Sequence, residues 1–462
     1  MEGQGGVMLN LNKYRELTSQ YDQFIYESYH VEELDGQLML NYQYKLVGEF
    51  GQPITFNHRI SYELKSSRHT LGLDYLKELD SMIFTIGLVE GINYYKTVCP
   101  RVFYVNCGRL SESQKQWWQK LYYHGLGEFI YLNGLGDEVS EKNFVRFADD
   151  LLKPYDFDLV DLPVSGNLIP IGGGKDSVVT LELLAHLKAD NLPFVMSPPQ
   201  AAFDCIEVAG YEEYLLAKRH FDKELFRLNE EGYLNGHVPF SAILGFIALL
   251  GAALTGKQYI PLSNERSANE ATVKGETYNH QYSKSYEFEK DFNGYVNEFL
   301  IKDIQYFSLL RPLYEVEIAQ RFAQYVSYHK VFRSCNRGKK DNSWCGVCSK
   351  CLFVHIILAP FMTETALFDI FASDLLNNAT LKPILIELLG MTDKKPFECV
   401  GTIDEVQWSM KKIVEKYRKA ERELPVLVQF FADEFELSEI KELDVDEVAN
   451  SIPETYRHLL KG

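Results

Sequence analysis

The chain has no run of lysine and arginine long enough to follow a nucleic-acid backbone. Its 47 basic residues face 65 acidic ones, a formal net charge of −18. A protein whose main task is gripping a phosphodiester carries a basic stripe, so nucleic acid is not expected as a partner. A small anionic ligand stays open, because a local cleft escapes a global count. A leader is not expected either, since "MEGQGGVMLNLNKYREL" has no basic stretch followed by an apolar run. The most apolar window, "VPFSAILGFIALLGAALTG" at 238–256, contains Pro, Ser, Thr and three Gly. It is short for a bilayer span and reads as a buried helix, with no membrane insertion expected. No segment is low in complexity, and no internal repeat is present. With no export signal expected, the eight cysteines are read as thiols or metal ligands, and the chain as cytoplasmic.

What is there is enough for large cores. At 462 residues, 46% apolar and 24% charged, two or three domains are expected. Residues 36–64 hold two β-branched and aromatic runs, "QLMLNYQYKLVGEF" and "ITFNHRISYEL", around "GQP", the pattern of a hairpin. Helical patterns follow at about 73–96 and 112–124, with "RVFYVNC" as a strand between them. This mixture predicts an α+β domain over 1–165, closed by "DLPVSGN". A second domain is expected over 166–360. There the runs "LIPI", "PFVMS" and "QYIPLS" alternate with helices at 177–188, near 207–220 and at 240–255. That alternation predicts an α/β fold with a parallel sheet. Residues 361–462 read as a helical region.

The stretch "NLIPIGGGKDSVVTLELLAHL" at 167–187 carries most of the chemistry. Gly172, Gly173 and Gly174 admit positive φ and let a ligand approach the backbone. The helix that follows aims its unpaired N–H groups and dipole at the same spot, which suits phosphate. Lys175 adds a charge, Ser177 a hydroxyl, and Asp176 either a helix N-cap or a ligand for Mg2+. The G-x4-G-K-[ST] loop fails, since Asp176 follows the lysine and Ile169 replaces the first glycine. The dinucleotide pattern G-x-G-x-x-G fails at Ser177. The run resembles the S-G-G-x-D-S loop of the PP-loop (N-type ATP pyrophosphatase) superfamily, with Gly172 in place of the first serine. That resemblance implies an enzyme that cleaves ATP between its α and β phosphates, usually to adenylate an oxygen of a substrate. Pro170 lacks the N–H of a central strand residue, so it is expected at the strand's end.

Cys335, Cys345, Cys348 and Cys351 form C-x9-C-x2-C-x2-C in "SCNRGKKDNSWCGVCSKCLF". Four thiolates so spaced suit tetrahedral Zn2+ in a closed, structural site. A glycine loop followed by such a cluster also looks like 7-cyano-7-deazaguanine synthase, a family without the 165 residues ahead of the loop.

Two further stretches are more polar than a core requires. "LNGHVPFSAI" places Asn235 and His237 before the apolar helix, and "LSNERSANEATVKGETYNHQYSKSYEFEKDF" follows a strand's carboxyl end. Open α/β sheets bind ligands at that edge. Asn264, Arg266 and Asn269 are candidates for binding substrate, Arg266 and Lys284 for holding an anion. His237, Glu265, His280 and Lys284 are candidates for moving a proton. Cys205 is the outlying candidate should a thiol pair do so.

"IPIGGGKDS", "LNGHVPFSAI", "SNERSANE", "NHQYSKSYEFE" and "SCN…WCGVCSKC", in that order, resemble the ATP-dependent UDP-N-acetyl-α-D-muramoyl-L-alanyl-L-glutamate epimerase family over roughly 167–355. The resemblance implies an isomerase of peptidoglycan synthesis, hence of cell wall biogenesis, cell shape and cell division. It implies that a UDP-linked muramoyl dipeptide is the substrate, ATP and Mg2+ are required, and AMP and diphosphate are released as terminal L-Glu becomes D-Glu. A base-modifying or tRNA-modifying PP-loop enzyme and a non-catalytic nucleotide sensor are the alternatives.

Overall fold

The structure, a computed structural model, describes residues 2–34, 36–67, 69–153, 159–197, 199–269, 282–392, 396, 398, 400–443 and 448–461. Side chains are described from Asn10 onward, those of Ala268 and Asn269 excepted. Among the described residues ten strands are interspersed with helices: β1 Gln23–Leu34, β2 Gln37–Val47, β3 Ile54–Lys65, β4 Val102–Val105, β5 Arg146–Asp149, β6 Asn167–Pro170, β7 Asn191–Met196, β8 Tyr214–His220, β9 Tyr259–Leu262 and β10 Gln305–Ser308. The fold is α/β. The chain forms two compact units, one of Met1–Leu168, Glu213–Ile260 and Tyr278–Tyr306, the other of Ile169–Glu212, Pro261–Thr277 and Phe307–Gly462. Chain order therefore does not match spatial grouping: residues 213–260 belong with the N-terminal unit, not with the glycine loop that precedes them.

In the first unit the strand order is β8-β3-β2-β1-β4-β5. The expected hairpin is present as β2 antiparallel to β3, while β1 pairs antiparallel with β2 and parallel with β4. Leu38, Leu40, Tyr42, Tyr44 and Leu46 on β2 are buried while their neighbours are not, the alternation of a sheet with one packed face. That face meets the helix Asp80–Glu90 through tyrosines whose hydroxyls stay paired. Tyr42 donates to Ile83 O at 3.0 Å and Tyr44 to Gly87 O at 2.7 Å. Gly87 is required there, because a Cβ would lie 2.1 Å from the Tyr26 hydroxyl. The apolar helix is Phe240–Leu254, buried at all but Phe240 and Leu244. Among the described residues no helix is long and apolar enough to cross a membrane.

The sequence expectation needs correcting at two places. The helix expected near 207–220 is a helix at Gln200–Val208 followed by β8, and β8 pairs antiparallel with β3. Residues 214–220 thus extend the mixed sheet of the first unit and do not belong to the parallel sheet expected over 166–360. Strand β1 was also not anticipated.

The loop-bearing unit takes the carboxyl-terminal halves of β10, β9 and β6 and all of β7, in the order β10-β9-β6-β7. Ile171 N–H donates to Phe194 O at 2.8 Å and Leu309 N–H to Leu262 O at 2.8 Å. Pro170 is the last residue of β6, where its missing N–H costs no ladder bond. The loops leaving Pro170, Leu262 and Ser308 start from the strands' carboxyl ends. Beyond Cys351 the described elements are helical, among them Glu364–Phe371, Ile403–Lys419 and Val426–Glu434.

Candidate active site

The glycine loop leads directly into a helix N-terminus. Gly172 is exposed, and no described heavy atom lies within 4 Å of where its Cβ would be. Gly173 has φ +83°, and a Cβ there would come within 2.6 Å of the Ala201 carbonyl carbon. Its own carbonyl accepts from Arg333 N–H at 2.8 Å and from the Cys205 thiol at 3.8 Å. Gly174 is the N-cap of the helix Lys175–Leu183, and no described side chain caps its first turn. First-turn amides without a side-chain cap, next to a glycine at positive φ, suit an anion. The helix starts two residues earlier than expected, so Asp176 lies inside its first turn. Its reading as an N-cap is therefore wrong. Ser177 Oγ donates to Gly174 O at 2.9 Å, so its hydroxyl holds the loop's own backbone.

Lys175 is 1% exposed, and its ammonium is shared between the Asp176 and Glu315 carboxylates. Burial works against that charge, but Asp176 and Glu315 outweigh it and hold the lysine above its ordinary pKa. Glu315 goes the other way for a carboxyl. Burial, opposed by Lys175 and reinforced by Asp176 and Glu265, pushes it up to about 8. Glu405, also buried, accepts from Glu315 N–H at 2.5 Å and is itself raised, first by burial.

The expected residues after β9 sit beside this set. Glu265 is buried and accepts from Ser267 Oγ at 3.2 Å. Asn264 Nδ2 and Arg311 both donate to Ser308 Oγ, at 3.1 and 3.0 Å, and Arg311 reaches Glu265 O at 3.2 Å. Arg266 is half-buried with its guanidinium 4.4 Å over the Tyr314 ring. Asn269 ends the turn Arg266–Asn269, but its side chain, like all of His280, lies outside the described residues. His237 and Lys284 belong to the first unit. His237 Nδ1 is 3.6 Å from Glu128 Oε2, and Lys284 closes the turn Tyr282–Lys284 ahead of the helix Tyr286–Phe299. The sequence reading missed Arg311, Glu315 and Glu405. The first two follow the carboxyl end of β10, so the strand-edge rule applied after β9 finds them when applied once more.

The four cysteine sulfurs all lie within 4.8 Å of one another, with pairs at 3.9, 3.7 and 3.5 Å. Zn–S bonds of about 2.3 Å in a tetrahedron give edges of about 3.8 Å, so the set fits zinc. Gly346, at φ +69°, makes the turn between Cys345 and Cys348. Gly338 and Cys345 N–H groups donate to Cys335 Sγ at 3.2 and 3.4 Å, as thiolates prefer. The cluster also anchors the segment beneath the loop: Arg333 binds Gly173 O, and Ser334 Oγ would lie 2.9 Å from a Cβ on Gly174.

Comparison with known proteins gives the family of the chain. The MurL N-terminal domain matches residues 15–309 and the MurL C-terminal domain residues 331–444. The chain is similar to the UDP-N-acetyl-alpha-D-muramoyl-L-alanyl-L-glutamate epimerase of Xanthomonas oryzae pv. oryzae, 38% identical over 70% of this chain and 72% of that one. It is 35% identical to the proteins of the same name from Salinispora tropica, over 83% of both chains, and from a Micromonospora species, over 83% and 85%. No solved structure matches.

Proposed function

The chain belongs to the MurL family, and from that premise we propose that it converts the terminal L-Glu of UDP-MurNAc-L-Ala-L-Glu to D-Glu, using ATP and releasing AMP and diphosphate. The observation that carries the ATP requirement is the uncapped glycine loop at the helix Lys175–Leu183, in a family whose relatives are named for the epimerisation. Its core is read as a PP-loop pyrophosphatase fold, and its place as the cytoplasmic stage of peptidoglycan precursor synthesis.

The chemistry explains why an epimerase has such a loop. The α-proton of a C-terminal glutamate is hard to remove because the adjacent carboxylate opposes a carbanion. Adenylation removes that charge and turns the carbonyl into an electron sink. A base then takes the proton, reprotonation on the opposite face inverts the centre, and hydrolysis of the acyl-adenylate ends the cycle. In this reading the amides of Gly172, Gly173, Gly174 and Lys175 bind the pyrophosphate portion. Asp176 and Glu315 are the carboxylates that would hold Mg2+, which neutralises phosphate charge when bound. Lys175 then moves from carboxylate to phosphate. Asn264, Arg266 and Asn269 orient the substrate. Glu265, His237, His280 and Lys284 are the proton carriers to be sorted, and Glu265 has its carboxylate in the loop's own unit. Zn2+ on the four cysteines would fix the segment under Gly173 and Gly174.

Incubation with ATP, Mg2+ and UDP-MurNAc-L-Ala-L-Glu, followed by AMP assay and chiral analysis of the released glutamate, tests this. AMP together with D-Glu is expected, and Asp176→Ala should abolish both. AMP without inversion would discard the epimerisation. No AMP would reduce the loop to a binding site and favour a nucleotide sensor.

A further inference from the structure

The loop-bearing unit contains a groove of about 810 Å3 lined by Arg266, Tyr314, Phe361, Trp408, Arg457 and Lys461, among others. Its wall shares two chain segments with the buried carboxylate set. Glu315 pairs with Lys175 and is close to Glu265, and Arg266 and Tyr314, which adjoin these two acids in the chain, line the groove. The groove therefore begins one residue away from the phosphate loop's own cluster on two separate segments. Its volume is that of a site for a sizeable small molecule.

The lining combines three rings with three cations. Phe361 and Trp408 have ring centroids 6.5 Å apart, inclined by 30°, and the Arg266 guanidinium lies over Tyr314. The acids of the wall are engaged with it: Glu317 accepts from Tyr314 N–H at 2.8 Å, and Glu442 from the Trp408 indole at 2.8 Å and Lys411 at 3.0 Å. Arg457 pairs with the exposed Glu454 at 3.1 Å, a contact a phosphate displaces at little cost. Flat rings offer stacking to a base, and arginine and lysine offer charge-assisted bonds to phosphate oxygens. Together they select a nucleoside diphosphate.

We infer that this groove is the subsite for the uridine diphosphate part of the substrate, with Trp408 and Phe361 against the uracil and Arg266, Arg457 and Lys461 on the diphosphate. The inference rests on the reading that the substrate is UDP-linked. The ADP portion of ATP has similar chemistry, but the glycine loop already provides for ATP phosphates. This gives the helical C-terminal region a role: it holds the handle of the substrate while the loop activates the far carboxylate.

Calorimetric titration of the full chain with UDP, uridine and ADP tests it. Wild type should bind UDP. An Arg457→Ala, Lys461→Ala double variant should bind it about tenfold or more weakly with uridine unaffected. Trp408→Ala should weaken both ligands, and Trp408→Phe, which keeps the packing, should restore them. Arg457 and Lys461 are exposed, so their loss leaves the fold intact. Undetectable UDP binding, equal affinity in the double variant, or ADP losing affinity in step with UDP would each overturn the assignment. The epimerase reading fails separately. Normal epimerisation with an unchanged KM in the double variant removes the groove but keeps the activity. UDP binding that depends on these residues, without epimerisation, does the reverse.

Discussion

Each compact unit buries a group of charges, and the two groups end in opposite states. In the first unit Glu90 is fully buried, yet Arg219 grips it with two bonds, Nε at 2.6 Å and a terminal nitrogen at 2.7 Å. Asn93 Nδ2 adds a third at 2.8 Å, and His58 Nε2 lies 3.3 Å away. Burial alone would raise the Glu90 pKa, but Arg219 and His58 win and hold it at about 2. In the loop-bearing unit Lys175 is shared by Asp176 and Glu315, with Glu265 close enough to act on Glu315. There burial wins, and Glu315 rises to about 8. The first group is closed, its one carboxylate matched by the arginine fork, an amide and an imidazole. The second has more carboxylate than cation, a condition that the proposed metal–phosphate complex would relieve. Closure marks structure, and imbalance marks a site.

Breaking each group in turn gives the largest expected effects. Arg219→Met leaves Glu90 buried without its fork and should destabilise the protein by about 3–5 kcal/mol in urea unfolding. A loss under about 1 kcal/mol would mean that the first group is not closed. Lys175→Met should instead lower AMP formation by about a thousandfold and cost less stability, because Glu315 gains a proton readily. If both variants unfold equally easily, the contrast between the groups does not hold.

A subtler separation uses pH. Glu315 has a folded pKa raised above its unfolded value of about 4.5. The folded chain therefore binds that proton more tightly, and stability falls as pH rises from about 4.5 through about 8. Glu90 has a depressed pKa, so its contribution is full above about 4.5 and is lost as pH falls toward about 2. Glu315→Gln should remove the first trend and leave the second. In thermal melts the variant should gain on wild type between about pH 5 and pH 9. Parallel curves across that range would show that Glu315 is charged in the empty protein.

The loop was legible because Gly172 to Ser177 are contiguous and their chemistry is local. The cysteines were legible for the same reason, and the hairpin because β2 and β3 alternate and are joined by a short turn. Glu315 is 140 residues from Lys175 and Glu405 a further 90, so no local pattern joins them. Tyr214–His220 reads "YLLAKRH", composed largely of good helix formers, and becomes a strand because β3 supplies a ladder. A tertiary partner overrides propensity there, and sequence spacing cannot reveal it.

Within the loop-bearing unit the cysteines offer a last, smaller test of closed against open groups. The set of Cys335, Cys345, Cys348 and Cys351 should carry about one zinc ion per chain by elemental analysis, with no open position for chemistry. Cys348→Ser should lose the metal and lower the melting temperature; full-strength protein without metal would remove zinc from the account of the loop's floor. Cys205 is the opposite case. Burial, helped by Asp204 and opposed by Arg333, holds its thiol up at about 12, so at neutral pH it is no thiolate and no base. Its contact with Gly173 O at 3.8 Å is weak, and Arg333 N–H supports the same carbonyl at 2.8 Å. Cys205→Ala should therefore change AMP formation by less than about threefold. A fall of a hundredfold, with the fold and ATP affinity intact, would place that sulfur in the proton transfer and reverse the order of the candidates.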